Sequence, residues 1–245
     1  MQTTIIFPCY NESSRLSVSQ FTVFLDANPE IQFLFVNDGS KDHTLELLQS
    51  MSCRNERIFY LDLPQNGGKA EAVRQGMLYA ADHFASDYIG FWDADLATPL
   101  GEINLFLNQI QNGDFEMITG LRLDRLGANI KRKKIRHYLG RCFATVASMT
   151  LKLSVYDTQC GAKLYKSNIV TPLFEQPFIT RWLFDVELLA RYINLYGRKT
   201  AVQKIYEYPL YSWEDVGGSQ VKMKDFFKAP RELWMIKKKY MKKTK

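Results

Sequence analysis

Histidine and cysteine are scarce in this sequence, with three of the first and four of the second among 245 residues. The cysteines, at positions 9, 53, 142 and 160, share no close spacing, and His43, His83 and His137 are scattered. No zinc centre and no histidine-based catalytic cluster can be read from such a distribution, which leaves reduced thiols in a cytoplasmic protein. Long apolar runs are missing too. The longest uncharged stretch in the second half, Cys142 to Leu151, is far below the ~20 residues that a membrane helix needs. No secretory leader is readable, because a strand-like run, Thr3-Thr4-Ile5-Ile6-Phe7, begins without a basic stretch and an apolar segment ahead of it. The chain as given is therefore expected to be cytoplasmic and not to span a membrane. With no internal repeat and no low-complexity linker, it reads as a single domain over residues 1–236 followed by a basic tail, 237–245.

What is present is globular composition: 46% hydrophobic residues against 24% charged, neither disordered nor membrane-spanning. The formal charge of +6 is unevenly placed. Lys131-Arg132-Lys133-Lys134 and the lysine-rich end from Lys237 hold much of the surplus, and such clusters favour anionic partners such as phospholipid headgroups or phosphorylated substrates. A solvated tail accounts for the second cluster equally well. Nucleic acid is not expected, since no recognisable binding motif accompanies the basic runs.

Hydrophobic patterning alternates strand with helix through the first half. Short β-rich runs at Ile5–Phe7, Ile31–Val36, Ile58–Leu61 and Tyr88–Trp92 are separated by helix-like stretches at 13–27, 41–51 and 69–84. This is the signature of an α/β fold, a parallel sheet with helices on both faces. The second half predicts a helix over 100–112, a strand over 115–119, a long helix over 134–153, a helix over 182–195, a strand over 202–208 and a basic helix from about 224.

Three polar motifs fall where strands should end. Pro8-Cys9-Tyr10-Asn11-Glu12 follows the first strand, Asn37-Asp38-Gly39-Ser40 the second and Asp93-Ala94-Asp95 the fourth. Ligands of open α/β sheets bind outside the carboxyl ends of strands, so these side chains converge on one crevice. Two carboxylates at i and i+2 after a buried strand suit Mg²⁺ or Mn²⁺ held jointly with substrate phosphates; alone, such a triplet is as common in ordinary turns. Ser40 is placed to cap a helix starting at Lys41, Asp42 to complement its dipole, and Asp38 to meet a base or ribose. Asn66-Gly67-Gly68-Lys69 is neither a P-loop nor a dinucleotide fingerprint, and is either a phosphate grip at a helix start or a plain helix-start turn.

In order and spacing these motifs resemble the family 2 glycosyltransferases of GT-A fold, especially the dolichyl- and polyprenyl-phosphate sugar synthases of the glucosyl and mannosyl type. Asp157-Thr158-Gln159-Cys160-Gly161-Ala162-Lys163 and Trp182-Leu183-Phe184-Asp185-Val186-Glu187 are similar to that branch's second-half signatures. The resemblance covers residues 4 to 219. It implies a mixed, mostly parallel Rossmann-like sheet, inverting transfer from a nucleotide diphosphate sugar, UDP-glucose before others, and dependence on Mg²⁺ or Mn²⁺. It places Pro8, Tyr10, Glu12 and Asp38 on the nucleoside, Lys69, Asp93 and Ala94 near the diphosphate, and Asp93 and Asp95 on the metal. Ala97 stands where related enzymes offer a further ligand. Arg122 and Arg136 would face phosphate, and Asp157, Gln159 and Asp185 the acceptor, either a lipid phosphate at the cytoplasmic face of an anionic membrane or a glycan. A hydroxyl acceptor would need Asp157 or Asp185 as base; a phosphate acceptor would need none. Alternatively, Asp185 and Glu187 are helix residues paired with Arg181 or Arg191, and the whole chain a non-catalytic nucleotide-sugar-binding module.

Overall fold

The computed structural model describes residues 1–131, 134–216 and 223–241, without the side chains of 134–139 and 223–227. Expectations for the Arg136 side chain, for residues 132–133 and 217–222, and for the end of the tail at 242–245 lie outside the described residues.

The first half folds as strand–helix repeats: β1 (Thr3–Cys9), α1 (Val18–Ala27), β2 (Ile31–Asp38), α2 (Thr44–Arg54), β3 (Ile58–Leu63), α3 (Lys69–His83) and β4 (Tyr88–Trp92). The second half adds α4 (Gly101–Gln111), β5 (Met117–Leu121), β6 (Asn129–Lys131), α5 (Lys134–Leu151), β7 (Ala162–Lys166), α6 (Ser167–Phe174), α7 (Phe184–Tyr196), α8 (Arg198–Lys204), β8 (Ile205–Pro209), β9 (Ser212–Glu214) and α9 (Met223–Tyr240). Seven strands form one sheet in the order β3-β2-β1-β4-β7-β5-β8, and β6 pairs with β9 apart from it. Only β7 runs against its neighbours, antiparallel to both β4 and β5.

Alternate residues of the central strands feed two cores. Ile5, Phe7, Phe33 and Phe35 face α1, α2 and α4, where Phe7 meets Phe21, Phe33 and Phe35 at ring centroid distances of 5.0, 5.0 and 5.1 Å. Ile6, Leu34, Val36 and Phe91 face α3, α6 and α7. Burial on both faces is why these strands are continuous apolar runs. Gly76 lets α3 lie directly on the sheet, since a Cβ there would come within 2.7 Å of Ile6 and Val36. Every residue of α7 from Phe184 to Ile193 is buried, because α5 and α9 contribute Ala147, Leu151, Ala229, Leu233 and Ile236 to the same core. A helix buried on every face needs such a second cover, and its buried Asp185, Glu187 and Arg191 need ion-pair partners.

Several local expectations are corrected. Ser40 does not cap α2, which starts at Thr44, three residues after the expected Lys41, with no side-chain cap. The Ser40 hydroxyl instead accepts the Asn11 N–H at 3.1 Å. Asp42 precedes the helix rather than sitting in its first turn, and its carboxylate takes Ser13 (Oγ, 2.6 Å) and Thr44 (Oγ1, 2.5 Å). Helix α1 starts at Val18, not at 13. Residues 198–204 form a helix, so the strand expected from 202 begins at Ile205. Strand β7 and helix α6 have no counterpart in the sequence expectation. The boundary at 236/237 falls inside α9, whose Tyr240 hydroxyl donates to Glu187 at 2.9 Å.

Candidate active site

Parallel strands present their carboxyl ends at one sheet edge, and the reversed β7 presents its beginning there. Loops after β1, β2, β4 and β5 thus meet the 157–161 segment that leads into β7. The convergence expected from three motifs is realised with a fourth and fifth segment joining them.

The loop after β1 is stitched to the loop after β2. Asn11, in a left-handed conformation at φ 55°, accepts the Lys41 N–H at 2.8 Å, and Glu12 N–H donates to Thr44 Oγ1 at 2.8 Å. Pro8, Tyr10 and Glu12 are half-buried along this seam. Burial pushes the Glu12 carboxyl upward, Arg15 at 2.5 Å opposes this, and the nearby Asp95 adds to it. Asp38, 2% exposed, accepts the backbone N–H groups of Gly67 and Gly68 at 2.7 and 2.9 Å. It ties the end of β2 to the first turn of α3, whose leading residue is Lys69. Burial raises the Asp38 carboxyl, against those two bonds and Arg181.

Lys69 ion-pairs with Asp93. The Asp93 N–H donates to the Gly161 carbonyl at 3.1 Å, and its carboxylate lies flat against the Gly161 Cα. A Cβ at that position would sit 1.9 Å from Asp93 Oδ2. Ala94 is buried, and Asp95 accepts the Ala97 N–H at 3.0 Å. Burial raises the Asp95 carboxyl and the like charge of Asp93 raises it further, against the Ala97 N–H, Lys69 and Arg15. Two partly exposed carboxylates that repel one another are hard oxygen donors whose repulsion a divalent cation would relieve. Among the described residues no three His, Cys, Asp or Glu side chains are grouped as a metal cage. Two oxygen donors alone suit an ion that takes its other ligands from phosphate and water, as Mg²⁺ and Mn²⁺ do.

On the far side of β4 the geometry changes. Arg122, just past β5, grips Asp157 bidentately (Nε–Oδ2 2.6 Å, Nη2–Oδ1 2.7 Å) and adds its backbone N–H at 3.2 Å. The guanidinium lies 5.2 Å from the Trp213 ring centroid. Asp157 overrides burial and pushes Arg122 further up in pKa. Glu207 accepts the Tyr156 and Asp157 N–H groups at 2.8 Å each and so fixes the turn. Gln159 reaches the Trp182 carbonyl at 3.5 Å. A small pocket here is lined by Arg122, Arg141, Phe143, Tyr156, Asp157 and Gln159. Asp185 pairs with Lys163 at 2.7 Å rather than with Arg181, whereas Glu187 pairs with Arg191 at 2.8 Å.

Sequence reasoning missed Glu207 and Arg141 as parts of this site, and gave Lys163 no role within its motif. The first two lie far along the chain from the residues they serve. Lys163 carried one signal, a cation within a short and otherwise largely apolar run.

Residues 4–174 match Glycosyl transferase family 2. The chain is 30% identical over 247 aligned residues to a dolichyl-phosphate beta-glucosyltransferase of Trichomonas vaginalis, covering 96% of this chain and 70% of that protein. It is 28% identical to the dolichyl-phosphate beta-glucosyltransferase of Saccharomyces cerevisiae, covering 97% and 75%. Among solved structures, glucosyl-3-phosphoglycerate synthase from Mycobacterium tuberculosis in complex with Mn²⁺, uridine diphosphate and glucosyl-3-phosphoglycerate superposes with a TM-score of 0.66 at 13% identity, covering 96% and 78%. At that identity the likeness is one of fold.

Proposed function

Because this chain belongs to glycosyl transferase family 2, and is a GT-A fold glycosyltransferase, we propose that it transfers glucose from UDP-glucose to a polyprenyl or dolichyl phosphate, with inversion and with Mg²⁺ or Mn²⁺. Relatives that act on dolichyl phosphate and a fold neighbour solved with Mn²⁺ and uridine diphosphate support the choice of donor, metal and acceptor. The observation that carries it is the unequal state of the carboxylates on either side of β4.

Pro8, Tyr10 and Glu12 line the nucleoside, and Asp38 backs it by holding Gly67-Gly68. Lys69 exchanges its partner Asp93 for a diphosphate oxygen, and Asp93 and Asp95 hold the cation, with Ala94 between them. The bound ion supplies Lewis-acid stabilisation of the leaving uridine diphosphate. The bond from the anomeric carbon to that diphosphate breaks as the acceptor oxygen bonds to the opposite face.

A phosphate acceptor arrives already anionic, so the protein contributes position and positive charge. Arg122 offers its remaining N–H groups on that side and Gln159 orients the acceptor, with Asp157 neutralising the Arg122 guanidinium and setting its direction. Arg136 is assigned to the same phosphate. A hydroxyl acceptor needs a free base, whereas Asp157 and Asp185 are each held by a cation. A glycan acceptor is therefore the weaker reading.

A lipid acceptor implies work at a bilayer. Lys237, Lys238 and Lys239 end α9 as an exposed cationic turn. Trp234 beside Lys238 is 60% exposed, and Val146 and Met149 of α5 are 50% and 74% exposed. No helix of the described residues is long and apolar enough to cross a membrane. We assign the enzyme to the cytoplasmic face of an anionic membrane as a peripheral protein, where each lysine near the surface contributes about 1 kcal/mol. Flotation with anionic and neutral liposomes tests this, and equal absence from both overturns it. For the reaction, radiolabelled UDP-glucose, dolichyl phosphate and Mn²⁺ should yield an organic-soluble product. Transfer to free glycans instead, or donor binding with no transfer to any acceptor, sinks the proposal.

A further inference from the structure

Among the described residues, Lys163 is a buried cation at the site edge that the proposed chemistry does not use. Its side chain is 1% exposed, an environment in which an ammonium persists only if its hydrogen-bonding capacity is met. The demand is met from three sides. Nζ donates to Asp185 Oδ1 at 2.7 Å and to the Cys160 carbonyl at 2.5 Å, and lies 5.4 Å from the Phe91 ring centroid.

Each contact leads towards the diphosphate side. Cys160 precedes Gly161, the residue whose carbonyl receives the Asp93 N–H and whose Cα supports the Asp93 carboxylate. Asp93 pairs with Lys69. Asp185, in the first turn of α7, lies near enough to act electrostatically on both Lys69 and Asp93. Lys163, Asp185, Lys69 and Asp93 therefore alternate in sign around a closed circuit. Two cations balance two carboxylates there, and Asp95 acts on the same Lys69 and Asp93 as a further carboxylate.

Resting on the proposed function, we infer that Lys163 is a positioning residue: it fixes the Cys160–Gly161 turn under Asp93 and neutralises Asp185, so that Lys69 stays directed at Asp93 and the diphosphate. Asp185 is then a counter-ion, not an acceptor base. Without the ammonium, Asp185 competes with Asp93 for Lys69, the support under Asp93 loosens, and one positive charge is lost where a diphosphate must bind. Substitution of Lys163 should thus weaken nucleotide binding without touching the acceptor side.

The test compares wild type, Lys163→Met and Lys163→Met/Asp185→Leu. A crystal structure of Lys163→Met without nucleotide is expected to show the Asp93–Lys69 pair opened and the 160–161 turn displaced. An unchanged pair overturns the inference. In calorimetry with uridine diphosphate and Mn²⁺, Lys163→Met is expected to bind about tenfold more weakly. The double variant, which restores charge balance, should recover to within about threefold of wild type. A folded Lys163→Met that binds like wild type, or a double variant no better than the single, overturns it as well. If Lys163→Met does not fold, Lys163→Gln, which keeps a hydrogen-bond donor for Asp185 and the Cys160 carbonyl but removes the charge, replaces it in both measurements with a smaller loss expected. A wild-type protein that binds no uridine diphosphate sinks the proposed function, and the crystal comparison alone then decides the positioning role.

Discussion

The two sides of β4 treat their carboxylates in opposite ways. Towards β1, Asp93 and Asp95 are partly exposed and mutually repelling, with Lys69 paired to Asp93 and both Lys69 and Arg15 acting electrostatically on Asp95. Towards β5, Asp157 is locked in a three-bond grip by Arg122, its turn held by Glu207, and both partners are nearly buried. The first arrangement stores unsatisfied negative charge, which suits a cation and a diphosphate that arrive together. The second is satisfied before any substrate comes, which suits a rigid frame for an acceptor bearing its own charge. A site built for proton abstraction would show the reverse, a carboxylate left uncommitted on the acceptor side.

The largest effect is therefore expected on the uncommitted side. Asp95→Asn should lower kcat by about a thousandfold, roughly 4 kcal/mol of lost transition-state stabilisation, while circular dichroism stays that of wild type. Activity within tenfold of wild type would erase the contrast between the two sides. Asp157→Asn should cost about a hundredfold in kcat, and it should also destabilise the fold by about 3 kcal/mol, because it strands a nearly buried guanidinium. The discriminating observation is the pH–rate profile. A positioning Asp157 leaves its acid limb in place in the variant, whereas an acceptor base would take that limb with it.

Gly161→Ala sharpens the comparison at the seam between the sides. The added methyl would occupy the space of the Asp93 carboxylate, so that group must turn away from its present direction. Activity is expected to fall about tenfold, expressed as weaker donor and metal binding. Overpacking of this kind is worth about 1–3 kcal/mol, readable as a lowered melting temperature. Unchanged Mn²⁺ dependence in a destabilised Gly161→Ala would mean that the Asp93 orientation does not matter.

Legibility in the sequence divides along the same line. The β1 side could be read because each of its motifs follows a strand directly, and three consecutive strand–helix repeats put those ends at one edge by topology alone. Helix starts failed there: α1 begins at Val18 rather than at 13, and Ser40 and Asp42 join the neighbouring loop instead of starting a helix. The β5 side was legible as residue types but not as pairs. Arg122 and Asp157 were each singled out for different partners, and nothing local indicates that residues 35 positions apart neutralise one another. Strand β7 escaped because two lysines interrupt the short apolar run of Ala162-Lys163-Leu164-Tyr165-Lys166. Lys163 is buried and is satisfied by Asp185, a partner supplied only by the tertiary fold.

The smallest effect concerns pH, and its sign follows from the carboxyl shifts. Asp95 is raised in the folded protein by burial and by Asp93. Between its unfolded value, ~3.9, and its higher folded value, the folded state binds more protons, so ionising Asp95 lowers stability as pH rises through that window. Removing the charge removes this penalty. Without metal or nucleotide, Asp95→Asn should melt slightly above wild type at neutral pH, by about 2 °C at most, and the difference should vanish as pH falls to ~4. Asp42 is the opposite case. Hydrogen bonds from Ser13 and Thr44 outweigh burial and hold it at about 2, so it stabilises the fold above ~4 and loses that contribution only as pH falls towards 2. Asp42→Asn should melt below wild type at neutral pH and converge with it in acid. Adding Mn²⁺ with uridine diphosphate should invert the first difference and leave the second alone. Charge is stored on the β1 side only if the cation stabilises wild type and not Asp95→Asn.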